Sequence, residues 1–209
     1  MKKLLPLLLT TALVLSLAAC GNKNNNNNDS STPSGGVEAP SVSEPSSPAQ
    51  ASIKDALELL NNVWAQYTDD EKFPAAGGDF SEENSVSDAP GKFDISNSDS
   101  LAYSLTFPEA YADKIDGAAS LIHMMNTNTF TCGAFHVKDS ADISSITEAI
   151  KTTVLSKHWM CGFPDKLVIA VVDDYIISFY GHEDLINTFK TNLTKAYSSA
   201  EFVCEEPIL

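Results

Sequence analysis

Apolar positions recur along this chain with two periods, and the switches between them mark out its elements. Ile53, Leu57, Leu60, Trp64 and Tyr67 fall at helical spacing, and Ser52 stands where an N-cap belongs, so a helix is expected from there. Ile143, Ile146, Ile150 and Val154 form a second stripe over 142–157. Ile186, Phe189 and Leu193 form a third over 183–197, with His182 near its start. Between these stripes lie short apolar runs with strand character. SLIHMM (120–125) and TFTCGAFHV (129–137) are joined by Asn126-Thr127-Asn128, and KLVIAVV (166–172) and YIISFYG (175–181) flank Asp173-Asp174. Glu201 to Cys204 read as a last short strand, and 101–118 as short helices around Pro108.

From residue 129 the order is β-α-β-β-α-β, the split βαβ pattern. The expectation is an α+β fold: an antiparallel sheet with helices on one face, ferredoxin-like in topology, with an N-terminal helical extension. Strand 120–125 extends the sheet. In such a sheet the first and last strands of the β-α-β-β-α-β unit are neighbours.

Two stretches carry neither period. Residues 69–100 are acidic, with nine Asp or Glu against two Lys, and are broken by Pro74, Gly77, Gly78, Pro90 and Gly91. A loop this long inside a compact domain is uncommon, and an exposed, partly helical wrap is expected. Residues 21–50 hold five consecutive asparagines (24–28), then Ser, Pro and Gly with almost no large apolar side chains. Such a segment buries too little to offset its ordering entropy. As a coil, 30 residues would span ~30 Å.

Ahead of that linker, Lys2 and Lys3 precede an apolar run over Leu4 to Leu17, and Ala18-Ala19 lead into Cys20. The run is short for a bilayer span, which needs about 20 apolar residues, and has the three parts of a secretory signal. Leu17-Ala18-Ala19-Cys20 resembles the lipobox of bacterial lipoproteins. That resemblance implies a diacylglyceryl group on the Cys20 thiol and cleavage after Ala19. The expected organisation is therefore a signal peptide at 1–19, a lipid-anchored linker at 20–50, and a single extracytoplasmic domain at 51–209. The expected location is the outer face of the cell membrane.

Charge narrows the partners. Loss of Lys2 and Lys3 with the signal leaves 11 lysines against 28 acidic residues, a net charge of −17, and there is no arginine. This argues against nucleic acid, whose phosphates need Lys and Arg, and against docking on anionic lipid headgroups. Attachment falls to the covalent anchor.

With Cys20 lipidated, Cys132, Cys161 and Cys204 remain, and at most one disulfide forms within the chain. Cys132–Cys161 is the expected pair, with Cys132–Cys204 as its competitor. Cys132 and His136 lie four apart on a strand, hence on one face, and His158 and Cys161 form a His-x-x-Cys pair. Together they make a candidate thiol or metal cluster, although their spacings match no standard zinc motif. Trp159-Met160-Cys161-Gly162-Phe163-Pro164 invites comparison with a thioredoxin site, but Phe163 and Pro164 stand where a resolving cysteine would be. Asp94, Ser96 and Ser98 begin a calcium-loop spacing that Leu105 ends without the required Glu, so a solvated acidic face is expected there. Ala89-Pro90-Gly91-Lys92 lacks the first Gly and the Ser or Thr of a phosphate loop. His123, between apolar neighbours, reads as a core or edge histidine. No nucleophile elbow, no S-x-x-K and no dinucleotide fingerprint occurs. No catalytic residue and no cofactor is assigned.

The blocks EKFPAAGGD, APGKFD, HMMNTNTFTCGAFHV, WMCGFPDKLVIAVVDDY and INTFK, spread over residues 53–197, resemble uncharacterised lipoproteins of gut clostridia. Some similar chains carry the label bacteriocin transport accessory protein. The resemblance implies an anchored, single-domain Gram-positive lipoprotein and carries no catalytic residues across. The accessory label implies a thioredoxin-like dithiol, and this chain has Cys161 alone there. Expected, then, is a non-enzymatic binding or accessory module meeting a protein, a wall polymer or a small ligand. The alternative is a thiol- or metal-dependent enzyme built on Cys132, His136, His158 and Cys161.

Overall fold

The first helix, α1 (Ala56–Trp64), starts where a side chain can satisfy its free amides. Asp55 accepts from the Glu58 N–H at 2.8 Å, and the Glu58 carboxylate reaches back to the Lys54 N–H at 2.7 Å. The cap is thus Asp55 rather than Ser52. The helix buries Leu59, Leu60, Val63 and Trp64. A computed structural model describes residues 52–208 of the protein. The expected signal, Cys20 and the whole of the expected linker lie outside the described residues.

The acidic stretch folds more than its composition suggests. It contains β1 (Ala75–Gly77), β2 (Val86–Ser87) and β3 (Gly91–Phe93), followed by α2 (Ser98–Leu105) capped by Asn97. Strands β1 and β3 both pair antiparallel with β4 (Ile115–His123), each along a different part of it. The glycines of this stretch allow two backbones to meet. A Cβ on Gly77 would lie 2.1 Å from the Gly91 nitrogen, and one on Gly91 would lie 2.4 Å from the Gly78 nitrogen. Gly78 also has φ +96°, open only to glycine without strain.

Strand β4 begins at Ile115, so residues 115–118 are strand and not helix. Glu109–Lys114 forms a 3₁₀ turn ahead of it. Met124 and Met125 lie past its end. The remaining elements fall close to the expected bounds: β5 (Phe130–Val137), α3 (Ile143–Leu155), β6 (Lys166–Val172), β7 (Tyr175–Gly181), α4 (Glu183–Ala196) and β8 (Glu201–Pro207). Asp173 turns β6 into β7 in the left-handed region (φ 51°), which aspartate tolerates better than most residues.

All eight strands form one sheet with the order β2-β1-β4-β5-β7-β6-β8, and β3 is added on β4. Every pairing is antiparallel. The fold is α+β, as expected, but two finer expectations fail. The last strand, β8, joins β6 and not β5, which is not the ferredoxin-like order. Helices also cover both faces, not one. On one side α1 and α4 pack over Leu121, Phe130, Cys132, Val168, Ile177 and Phe179. On the other, α2 and α3 pack over Ile122, Phe135, Leu167, Ile169, Ile176 and Tyr180.

Crossover handedness connects the two corrections. The pairings make β5 parallel to β6 and β7 parallel to β8, and both crossovers step in the same direction along the sheet. Because β5 and β7 run oppositely, two right-handed crossovers stepping the same way must lie on opposite faces. In the ferredoxin-like order they would step in opposite directions and share a face. Moving β8 to the β6 edge therefore moves α4 to the other layer.

Candidate functional site

The end of the sheet where β4 turns into β5 carries most of the exposed large apolar side chains among the described residues. Tyr103 is 87 % exposed, Met160 77 %, Met125 76 %, Phe163 65 %, Met124 54 % and Phe80 53 %. These residues come from four separate segments, yet all lie around the 126–128 turn or the cleft beside it. The cleft has a volume of about 500 Å³ and opens between α2 and the segment that follows α3. Ala102, Tyr103 and Ser104 form one wall, Lys157 to Met160 the other, and Ile122 and Tyr180 also line it. Phe80, Ile122 and Thr127 are shared with a second hollow of about 320 Å³ that reaches Met124 and Val86.

The wall made by 157–163 is held by the turn opposite. The Asn126 amide donates to the Cys161 carbonyl at 3.1 Å. The Asn128 amide donates to the carbonyls of Met160 at 2.8 Å and Gly162 at 3.0 Å. The Asn-Thr-Asn turn is thus a clamp for a second loop as well as a hairpin. It holds Cys161 at φ 63° and Gly162 at φ 120°.

Phe80 is placed by the carboxylate of Asp79. That group accepts from the Ser81 N–H and hydroxyl (2.9 and 2.5 Å), the Asn84 amide (2.8 Å) and the Asp94 N–H (3.1 Å). Partial burial works to raise the Asp79 pKa, but these four bonds to the charged form outweigh it and bring it down to about 2. Phe80 itself sits at φ 63°, so the clamp secures an unfavourable backbone. Asp94 accepts similarly from the Ser96 N–H and hydroxyl at 2.9 and 2.7 Å. These acids serve as turn acceptors, a role that composition does not reveal.

Lys157 lies in the cleft, half-buried. Its ammonium donates to the Thr106 hydroxyl at 2.9 Å, and that hydroxyl lies 3.0 Å from the Tyr180 hydroxyl. The ammonium sits 4.9 Å from the centre of the Trp159 ring and 5.9 Å from that of Tyr180, within cation–π range. Burial pushes the Lys157 pKa down. Thr106 is buried and holds φ 53°, ψ 35° at the end of α2, a genuine outlier for a β-branched residue. Of the non-glycine residues with positive φ, Phe80 lines this cleft, Thr106 bonds to its lining residues Lys157 and Tyr180, and Cys161 follows its lining residue Met160. Strain of this kind persists only where the surroundings enforce it, and it concentrates at functional sites.

The residues singled out from sequence are dispersed. Cys132 is fully buried beneath α1 and α4, where burial drives its thiol pKa well up. Cys161 is exposed on the clamped loop, and neighbouring Trp159 packs into the opposite layer. Cys204, half-buried, also packs against that opposite layer, three strands away from β5. All three are free thiols, so neither expected disulfide is formed. His136 shares the Cys132 face but lies at the far end of β5, with Nδ1 2.5 Å from Asp116. Six residues of strand, ~20 Å, separate it from the loop carrying His158 and Cys161. Cys132, His136, His158 and Cys161 therefore form no cluster. Among the described residues no group of three or more His, Cys, Asp or Glu is placed to hold a metal ion. His123 stacks on Phe73 at 5.7 Å and accepts from the Met125 N–H. Burial, then nearby His182, lower its pKa.

Thr106, Lys157, Trp159 and Tyr180 have no sequence signature as a set, because they come from α2, the loop after α3 and β7. The one local hint is Lys157-His158-Trp159-Met160, a Trp and a Met placed directly after a helix where turn residues are usual. No family model, no curated protein and no solved structure matches the chain.

Proposed function

We propose that this chain is a membrane-anchored extracytoplasmic lipoprotein, held by a diacylglyceryl group on Cys20, whose domain is a non-enzymatic binding or accessory module. The clostridial lipoproteins it resembles supply the setting, and the cleft at the β4–β5 end is the binding surface. One observation carries the reading. Phe80, Tyr103 and Met160 stand exposed in the lining of one cleft, Met124, Met125 and Phe163 stand exposed near the 126–128 turn beside it, and loop clamps hold that arrangement at a cost in backbone strain. Scattered apolar residues on a surface need no explanation, whereas a gathered and braced group marks an interaction site.

Photo-crosslinking in the native membrane tests it. A benzophenone amino acid replacing Tyr103 in the full lipoprotein is expected to give a discrete adduct. The same group at Asn187, exposed on the outer side of α4, is expected to give none. Equal labelling from both positions, or none from position 103, refutes the proposed surface. The anchor is tested separately by intact mass, where Cys20→Ser is expected to lose the lipid increment and release the protein from the membrane.

A further inference from the structure

We propose that Lys157, Thr106, Tyr180 and Trp159 form a subsite for a single carboxylate, and that the ligand is an apolar peptide bound by its free C-terminus. This rests on the cleft being the binding surface and names what the cleft takes.

Proton bookkeeping gives the sign of the ligand. Lys157 has three donors and no acceptor, so it must be the donor to Thr106. The Thr106 hydroxyl, accepting from Lys157, shares a second hydrogen bond with the Tyr180 hydroxyl at 3.0 Å. Only one of the three ammonium protons has a protein acceptor among the described residues, and Lys157 forms no ion pair there. In a chain of net charge −15 this is a cation held by two aromatic rings and one hydroxyl, with no anionic partner, in a cleft whose lining holds no carboxylate.

A second, independent observation points the same way. Trp159 lines the cleft, is 91 % buried, and has an indole N–H that is buried with no acceptor. Buried donors without partners are rare in native proteins, and each calls for an explanation. The Trp159 ring face lies 4.9 Å from the Lys157 ammonium, and its orphan N–H, closed to solvent in the free protein, finds an acceptor in the ligand when the ring turns on binding.

The lining narrows the ligand further. One cation matches one negative charge, which suits a carboxylate better than a phosphate monoester. Tyr103, Phe80, Met160 and Ile122 offer apolar contact to the body that carries it. Ser104, Thr127, Asn128 and His158 interleave hydrogen-bonding groups. A fatty acyl chain would desolvate those groups without pairing them, whereas the amides of a peptide pair with them.

The probe is N-acetyl-Phe-Leu with a free carboxylate, titrated calorimetrically into the full lipoprotein in nanodiscs, alongside its C-terminal amide, decanoate and acetate. The acid is expected to bind at least tenfold tighter than the amide. Lys157→Met is expected to make acid and amide equal, and Lys157→Arg to keep the preference. Trp159→Phe, which removes the N–H together with the second ring of the indole, is expected to weaken the acid by more than it weakens the amide. An acid that binds no better than its amide, or a preference that survives in Lys157→Met, overturns the subsite. Decanoate or acetate binding as tightly as the peptide acid overturns the peptide assignment. Position-103 adducts that persist while the acid fails to bind sink this proposal alone, and loss of both sinks the binding surface with it.

Discussion

Gly133 lies in the middle of β5 on the α2/α3 side, and Phe135 folds its ring back over it. A Cβ at position 133 would stand 2.5 Å from Phe135 Cζ, 3.0 Å from Cε2 and 3.4 Å from a Leu105 methyl. Phe135 is fully buried and packs on Phe107 with ring centres 4.5 Å apart, so its ring has no free volume to enter. Gly133→Ala therefore overpacks the core, at ~1–3 kcal/mol. The opposing gain from stiffening the unfolded chain is about 0.4–1 kcal/mol. The net expectation is a loss of ~1–2 kcal/mol, or a fall in Tm of roughly 2–8 °C for a domain of this size. Urea and thermal unfolding followed by circular dichroism measure it. In a Phe135→Leu background the clash is gone and the same substitution is expected to be neutral or stabilising, which a double-mutant cycle reads directly. A Tm for Gly133→Ala equal to or above that of the parent refutes the reasoning. Leu105 directly precedes Thr106, so the same substitution is also expected to disturb the cleft wall.

Other consequences follow from the site. In the native protein Cys161 is expected to react with iodoacetamide first, Cys204 slowly, and Cys132 only on unfolding. An intact mass short by two hydrogens would instead reveal a disulfide. Asp79 carries a folded pKa lowered to about 2, against ~3.9 for the unfolded chain. Its contribution is complete above pH ~4 and vanishes as pH falls through about 2. The group is largely solvated, so the contribution is about 1 kcal/mol after screening. Asp79→Asn is expected to be less stable than the parent at pH 6 and to converge with it near pH 2; a gap that widens on acidification contradicts the clamp. Asn128→Ala removes two hydrogen bonds to the Met160 and Gly162 carbonyls. Hydrogen exchange over 158–163 is expected to quicken while that of β6 stays unchanged, and equal exchange in both proteins would deny the clamp.

Some of what the fold does was written in local pattern. Strands 166–172 and 175–181 are unbroken apolar runs, not alternating ones, which is the mark of strands covered on both faces. Expecting helices on one face overlooks that signal, and it was the clearest warning against a two-layer domain. The cleft had no comparable mark. Thr106, Lys157 and Tyr180 are separated by up to 74 residues, and each is ordinary in its own segment. The acidic stretch misleads for a related reason. Asp79 and Asp94 read as solvated charge, while their acceptor capacity is spent on amides and hydroxyls of their own loop.

Sequence alone determined the parts whose physics is local. Apolar spacing placed α3, β6, β7 and α4 to within a residue or two, because a period of two or 3.6 needs no knowledge of the rest of the chain. Tertiary structure decided which edge receives β8, and with it which face receives α4, because both depend on pairings far apart in sequence. It also decided that Cys132 is a core side chain and that Lys157 forms no ion pair among the described residues. Burial and partners belong to the folded neighbourhood, and no window of the sequence contains that neighbourhood.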